Sequence, residues 1–309
     1  SQQRSTASSI IIMPSASRFI LKDSPPAVKA VAKNKEVRGR RYDSECAERP
    51  GGIKAPELLF GVQMACLSVT DDAPGSLKKV GRMNPWQIKA LKIITGSEEG
   101  AHAPLSEILK TQFNLNMDHM MNVSGMSKAG HALDTQGFIA HNDSTIVLSY
   151  RCTTSIADWL TNLTTTSSAW EIDEDVSQGH SGFWSCWCDH GSCTGADAAK
   201  PRVHTGFYNN FLVTVPLIRK YIDPLLAADE PPRTLYVVGH SLGAGIAAMA
   251  ACYFLLENYD WKASPHKLRI VTVGGPRSCC TSMARLVDEK LRELRETDKA
   301  VFARVVRDK

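Results

Sequence analysis

The chain has 309 residues, 43% of them hydrophobic, and a formal net charge of +4. That length and apolar fraction exclude a polypeptide too small or too polar to bury a core, and they suit one large α/β domain with a tail. Residues 1–50 carry 10 Lys/Arg against 5 Asp/Glu while residues 51–309 carry 26 against 27, so the positive surplus lies in the tail and no nucleic-acid partner is expected.

Residues 1–54 are rich in Ser, Pro, Ala and Lys, have almost no periodic apolar pattern beyond Ile10-Ile11-Ile12-Met13, and read as a disordered basic tail. Such a tail suits either plain solvation or weak peripheral contact with an anionic membrane surface. The n-region and h-region of a secretory signal cannot be recognised after Ser1. Nine cysteines, an odd number, leave at least one thiol free or paired with another chain, so the compartment stays open.

From about Ala55 the spacing becomes helical, through Leu58, Leu59, Val62, Met64, Ala65 and Leu67, then Trp86 to Ile94, Leu105 to Phe113 and Met117 to Met126. These stretches predict a leading helical layer. Two β-rich runs between Asp134 and Arg151, separated by the turn residues Asn142-Asp143-Ser144, predict a hairpin at which the sheet begins. Phe207 to Leu226 predicts one long helix, bent or ended at Pro224. A strand at 235–238, a helix from Leu242, a strand at Leu268 to Val273, a helix at Met283 to Leu294 and a strand at Val301 to Val306 complete the alternation. Strands alternating with helices of this length predict a mostly parallel sheet covered on both faces.

The most informative stretch is Gly239-His240-Ser241-Leu242-Gly243-Ala244-Gly245, which follows a β-rich run and precedes an Ala-rich one. A G-x-S-x-G turn between strand and helix nominates Ser241 as a nucleophile. The glycines have a mechanical role, because a Cβ at 239 or 243 is expected to collide with neighbouring backbone. The Leu242 N–H then opens a helix, where unpaired donors and the positive dipole end hold a developing oxyanion. Residues 235–256 form 22 positions without Lys, Arg, Asp or Glu, long enough for a bilayer span. The glycine-rich break in the middle suits a buried strand and helix instead.

Three further segments accompany this turn: Ser149-Tyr150-Arg151-Cys152-Thr153-Thr154, His204-Thr205-Gly206-Phe207 and Val273-Gly274-Gly275-Pro276-Arg277. Together and in this order they resemble the class 3 lipases, the fungal triacylglycerol lipase-like family that also includes diacylglycerol lipases, over roughly residues 130–309. The resemblance implies an α/β-hydrolase fold and identifies Thr153 as the residue that completes the oxyanion hole with Leu242. Cys152 departs from the family, which has glycine there; if that glycine served a positive φ, a cysteine strains or reshapes the loop before Thr153. Asp158 reads equally as a helix cap or as support for this loop, and Trp159 as core or substrate contact.

The family's chain order is Ser, Asp, His. Aligning Arg304-Val305-Val306-Arg307-Asp308-Lys309 with its last strand places the acid one position after Lys309 and the histidine farther along; a two-residue shift of register promotes Asp308 instead. On this reading the domain spans 55–309, is incomplete at its C-terminal end, and hydrolyses esters only weakly as it stands. His266, the only histidine after Ser241, precedes a strand and belongs at the opposite edge of the sheet. His240 reads as packing.

Residues 164–201 are longer than the family leads one to expect and contain Trp170, Phe183, Trp184 and Trp187 beside Cys186, Cys188 and Cys193. Their place after the oxyanion loop is that of a lid, and tryptophans suit a lipid–water boundary; a small local core closed by a disulfide is the other reading. Cys186-Trp187-Cys188 is too tight for an ordinary tetrahedral zinc chelate, so no metal is expected. The sequence therefore predicts a serine hydrolase that cleaves a glycerolipid or related carboxylic ester through an acyl-enzyme on Ser241, without a cofactor. A non-catalytic lipid-binding or scaffold protein that keeps the fold is the rival.

Overall fold

A computed structural model describes residues 10–12, 52–70, 85–126, 132–151, 167–170, 201–227, 229–257 and 259–306. Helices α1 (Ala55–Leu67), α2 (Pro85–Thr95) and α3 (Leu105–Phe113) lead into strands β2 (Asn116–Met126), β3 (Ala132–His141) and β4 (Thr145–Tyr150), the short triplet Ile10–Ile12 being β1. Strands β5 (Ser167–Ala169) and β6 (Arg202–His204), helices α4 (Thr205–Leu212) and α5 (Val215–Tyr221), β7 (Thr234–His240), α6 (Leu242–Leu256), β8 (Lys267–Val273), α7 (Thr281–Arg295) and β9 (Ala300–Val306) follow.

Among the described residues a seven-stranded sheet runs in the order β1-β9-β8-β7-β4-β3-β2. It is parallel from β1 to β4 and antiparallel at β3 and β2. Alternation of side chains along each strand gives it two apolar faces. Leu148, Tyr150, Leu235, Val237 and Ile270 point into the core beneath α4 to α7. Val147, Val238, Val271, Val301 and Ala303 point into the core beneath α1 to α3. This is the mostly parallel, doubly covered sheet that the sequence predicts.

Helix α6 is buried on nearly every side, from Leu242 through Leu255. That explains the charge-free run of residues 235–256: it is a central strand and the helix packed on it. No helix among the described residues is long and apolar enough to cross a membrane.

There are three differences from the sequence reading, and two have identifiable local causes. Met117 to Met126 is not a helix but most of strand β2, paired with β3 along its length. Methionines at 117, 120 and 121 mimic helical spacing, yet the hydrogen-bonding edge of β3 overrides that weak local preference. The sheet therefore starts before the predicted hairpin. Phe207 to Leu226 is not one helix: α4 ends at Leu212, α5 starts at Val215, and a 3₁₀ turn covers Asp223–Leu226. Pro216, in the first turn of α5, has no N–H to donate to a continuous helix and so marks the restart. Ile10–Ile12, inside the segment read as disordered, pairs in parallel with Arg304 to Val306 of β9. The remainder of 1–51, Cys152 to Thr166 and residues 171–200, with the disulfide and zinc readings and most of the lid, lie outside the described residues; Trp170, from the segment read as a lid, packs on Tyr208 and Phe211 and donates from Nε1 to Glu257 Oε1 at 2.9 Å.

The hairpin turn itself forms as expected. Asn142 Oδ1 accepts hydrogen bonds from the backbone N–H groups of Ser144 and Thr145 at 3.0 and 2.8 Å, an Asx turn that delivers β4 in register.

Candidate active site

Strand β7 ends at His240 and helix α6 begins at Leu242, which leaves Ser241 alone to make the bend. Ser241 has φ 53° and ψ −116°, outside the regions open to ordinary L-residues. Such a conformation persists only where its surroundings over-determine it. The neighbours here do so. Ser241 N donates to Val273 O at 2.8 Å, which ties the bend to the end of β8. A Cβ on Gly239 would lie 2.3 Å from Gly243 O, and one on Gly243 2.3 Å from Tyr150 O. Both distances are backbone collisions, so glycine is required at both positions for the strand, the bend and the helix to close on one another.

The same contact explains how β4 meets the bend. Tyr150 pairs with Gly239 across the parallel ladder, and a Cβ on Gly243 would also come within 2.7 Å of Arg151 O. The described part of β4 thus ends against the first turn of α6. Tyr150 is held there by its buried hydroxyl, 2.9 Å from Thr214 Oγ1. Ser241 is half-buried and Leu242 buried. Leu242 is the first residue of α6, where a helix leaves its leading N–H groups without intrahelical acceptors.

The carboxyl ends of three strands meet at this edge. His240 pairs with Val273, Val273 pairs with Val305, and Gly274 N donates to Val305 O at 2.8 Å. The carboxyl end of β9 therefore lies on the same side as Ser241, at the edge where open parallel sheets assemble their sites. Asp308, Thr153 and Cys152 lie outside the described residues.

His240 is half-buried, and burial pushes its imidazole below the ordinary value, so it stays neutral. His266 is fully buried at the amino end of β8, where Nδ1 accepts from Arg233 N at 3.1 Å and Nε2 lies 3.1 Å from Ala227 O. Both of its nitrogens are engaged at the edge opposite Ser241, which removes it as a base.

His204 has a role that the sequence motif alone did not disclose. It is the N-cap of α4, and its Nδ1 accepts the Gly206 N–H at 3.1 Å. Its ring packs on Phe207, whose centroid is 4.8 Å away. Phe207 in turn lies against α6, because a Cβ on Gly245 would sit 2.6 Å from its ring. The His204-Thr205-Gly206-Phe207 segment thus buttresses α6 from the side. An N-cap imidazole has no strong sequence signal, since Ser, Thr, Asp and Asn are the usual caps.

A family model described as Lipase (class 3) matches residues 147–309. Among solved structures, the chain is similar to the lipase from Rhizopus microsporus var. chinensis at 19% identity and TM-score 0.44, over 88% of this chain and 76% of the other. Lipase II from Rhizopus niveus gives 19% identity and TM-score 0.45, over 82% and 72%. The mono- and diacylglycerol lipase from Aspergillus oryzae gives 20% identity and TM-score 0.43, over 76% and 66%. No curated protein matches the sequence.

Proposed function

This chain belongs to the class 3 lipase family, and on that premise we propose that it hydrolyses carboxylic esters of glycerolipids through an acyl-enzyme on Ser241. The observation that carries the reading is the backbone of Ser241, with φ 53° and ψ −116° at a strand-to-helix bend. A serine kept in so costly a conformation, between two glycines that a Cβ would drive into backbone, is built for exposure of Oγ rather than for stability.

In the proposed reaction Ser241 Oγ loses its proton to a general base and attacks the acyl carbonyl carbon. The carbonyl oxygen becomes an oxyanion, which the N–H groups of Leu242 and Thr153 receive. Collapse expels the glycerol-side alcohol, which takes up the proton, and leaves an ester on Ser241. Water, deprotonated by the same base, then releases the fatty acid and returns the proton to Oγ. The base and its orienting carboxylate belong after β9 in the chain order Ser, Asp, His, with Asp308 the candidate acid within the given sequence. A donor lost from an oxyanion hole typically costs about 10²–10³ in turnover, so Leu242 and Thr153 are asked for a few kcal/mol of the barrier.

The test uses the whole protein with a fluorophosphonate probe and a diacylglycerol emulsion. The probe is expected to add its phosphonyl group to Ser241, found by peptide mass, and Ser241→Ala is expected to lose both label and fatty-acid release. Undiminished release by Ser241→Ala would overturn the assignment of the nucleophile. A folded wild type that binds the emulsion but neither labels nor turns over would instead favour a lipid-binding scaffold.

A further inference from the structure

A cavity of about 550 Å³ lies between α6, α7 and β9, within the ~300–1,000 Å³ range of small-molecule pockets. Neither Ser241 nor Leu242 contributes to its walls. Its floor is apolar, made by Met249 and Cys252 from α6, Val287 and Leu291 from α7, and Phe302 from β9. Its charged groups are Arg277, Arg295 and Arg304 against Asp288, beside the hydroxyls of Ser278 and Thr281. The cavity is therefore an oily trough with an excess of positive charge.

The register of β9 explains the mixture. Val301, Ala303 and Val305 fill the core on one face of the sheet, which turns Phe302 and Arg304 toward α6 and α7. Arg304 Nη2 is held by Gly275 O at 2.7 Å. Arg295 is the informative residue: its Nε is buried and has no hydrogen-bond partner among the described residues. A buried donor left unpaired is costly, and a guanidinium most favours a planar anion that can take two N–H groups at once. Of the three thiols in its walls, burial pushes Cys279 up to about 11 and Cys252 higher still, which keeps both uncharged near neutrality, whereas at Cys280 burial is outweighed by hydrogen bonds from the backbone of Met283 and Arg202, which lower it.

We propose that this cavity is a second lipid site, which binds the anion of a medium- or long-chain fatty acid with its carboxylate on Arg295 and its alkyl chain over Met249, Cys252 and Phe302. The cavity's shape and charge stand independently of the catalytic proposal. The choice of a fatty acid over another amphipathic anion rests on that proposal, because ester hydrolysis would release this compound at the molecule itself.

Isothermal titration of decanoate below its micellar range into the whole protein tests the site. Saturable binding is expected in the wild type and unchanged in Ser241→Ala. Binding is expected to weaken at least tenfold in Arg295→Gln, which removes the charge, and in Ala248→Phe, which fills the trough from a half-buried position on its wall. Decanol, with the chain but no charge, and acetate, with the charge but no chain, are each expected to bind at least tenfold more weakly than decanoate. The proposal is overturned if decanoate does not saturate, if neither Arg295→Gln nor Ala248→Phe weakens it, or if Ser241→Ala abolishes it. Fluorophosphonate labelling of Ser241 in Arg295→Gln reads the catalytic proposal separately and is expected to be intact whatever the titration gives.

Discussion

At Ser241 stability and chemistry pull in opposite directions. A non-glycine residue held at φ 53° carries a conformational cost of about 1–3 kcal/mol. Ser241→Gly is accordingly expected to raise stability to urea by about 1 kcal/mol relative to Ser241→Ala, since only glycine escapes the strain. Equal midpoints for the two variants would mean that the bend is not strained. Gly243 makes the complementary prediction. In Gly243→Ala the new Cβ would meet the Tyr150 carbonyl, an atom that cannot rotate away, so the variant is expected to lose about 1–3 kcal/mol in chemical denaturation. Fluorophosphonate labelling should fall with it, because the first turn of α6 must move. The G-x-S-x-G spacing was legible in the sequence; that its second glycine, Gly243, answers to β4 rather than to its own turn was not.

At the level of the element, the short helix α4 depends on an unusual cap. The His204 Nδ1 that accepts the Gly206 N–H must be unprotonated, and burial holds the imidazole below its usual value of 6.5. A histidine with a lowered folded-state value binds its proton more readily in the unfolded chain, so stability is full above about pH 6.5 and declines as pH falls below it. His240, shifted in the same direction by burial, adds to the slope. His204→Ala is expected to cost about 1 kcal/mol at pH 8 through the lost cap. His204→Asn and His204→Ala should both reduce the dependence of the denaturation midpoint on pH between 7 and 5, but only His204→Asn should keep the cap and so hold the wild-type midpoint at pH 8, an outcome that a purely packing role for His204 does not give. Elements were read correctly wherever burial on both sides left a long apolar run, as in β7 and α6. They were misread at β2 and between α4 and α5. At β2 the deciding partner is the β3 edge, which pairs only once the chain has turned back, and between α4 and α5 it is Pro216, where the sequence reading had set the break at Pro224.

Across the whole molecule, Arg269 binds distant parts together. Its guanidinium is fully buried in the sheet; Nε donates to Glu57 Oε1 of α1 at 2.9 Å and Nη2 to Asp298 Oδ1 at 2.6 Å. Asp298 caps the turn between α7 and β9 with φ 55° and also accepts from Lys267 at 2.6 Å. Desolvation opposes its charge, but Lys267 and Arg269 outweigh it and hold its carboxyl below 3.8. A depressed carboxyl contributes stability that is present above its unfolded value and lost as pH falls through the folded one, so this part fades only below about pH 3.8. The acids are partly exposed and the base is not, which makes the charges unequal. The double variant Glu57→Gln with Asp298→Asn strands a buried guanidinium and is expected to cost about 3 kcal/mol or more. Arg269→Met, which leaves only solvated carboxylates, is expected to cost less than half as much by urea denaturation.

What the sequence determined by itself was the chemistry of position: a serine between glycines after an apolar strand, an alternation of strands and helices that demands a doubly covered sheet, and four motifs in one family's order. Each of these depends on neighbours within a few residues, where steric and periodic rules act directly. Only the tertiary structure decided what required contacts across the chain. It places the ends of β4, β7, β8 and β9 at one edge, joins Arg269 to Glu57 over 212 residues, and opens a trough of arginines and thiols between α6, α7 and β9. Arg295 and Phe302 are ordinary surface and strand residues when read alone. Their joint effect exists only because β9 turns alternate side chains toward α7, where the buried Nε of Arg295 has no acceptor among the described residues.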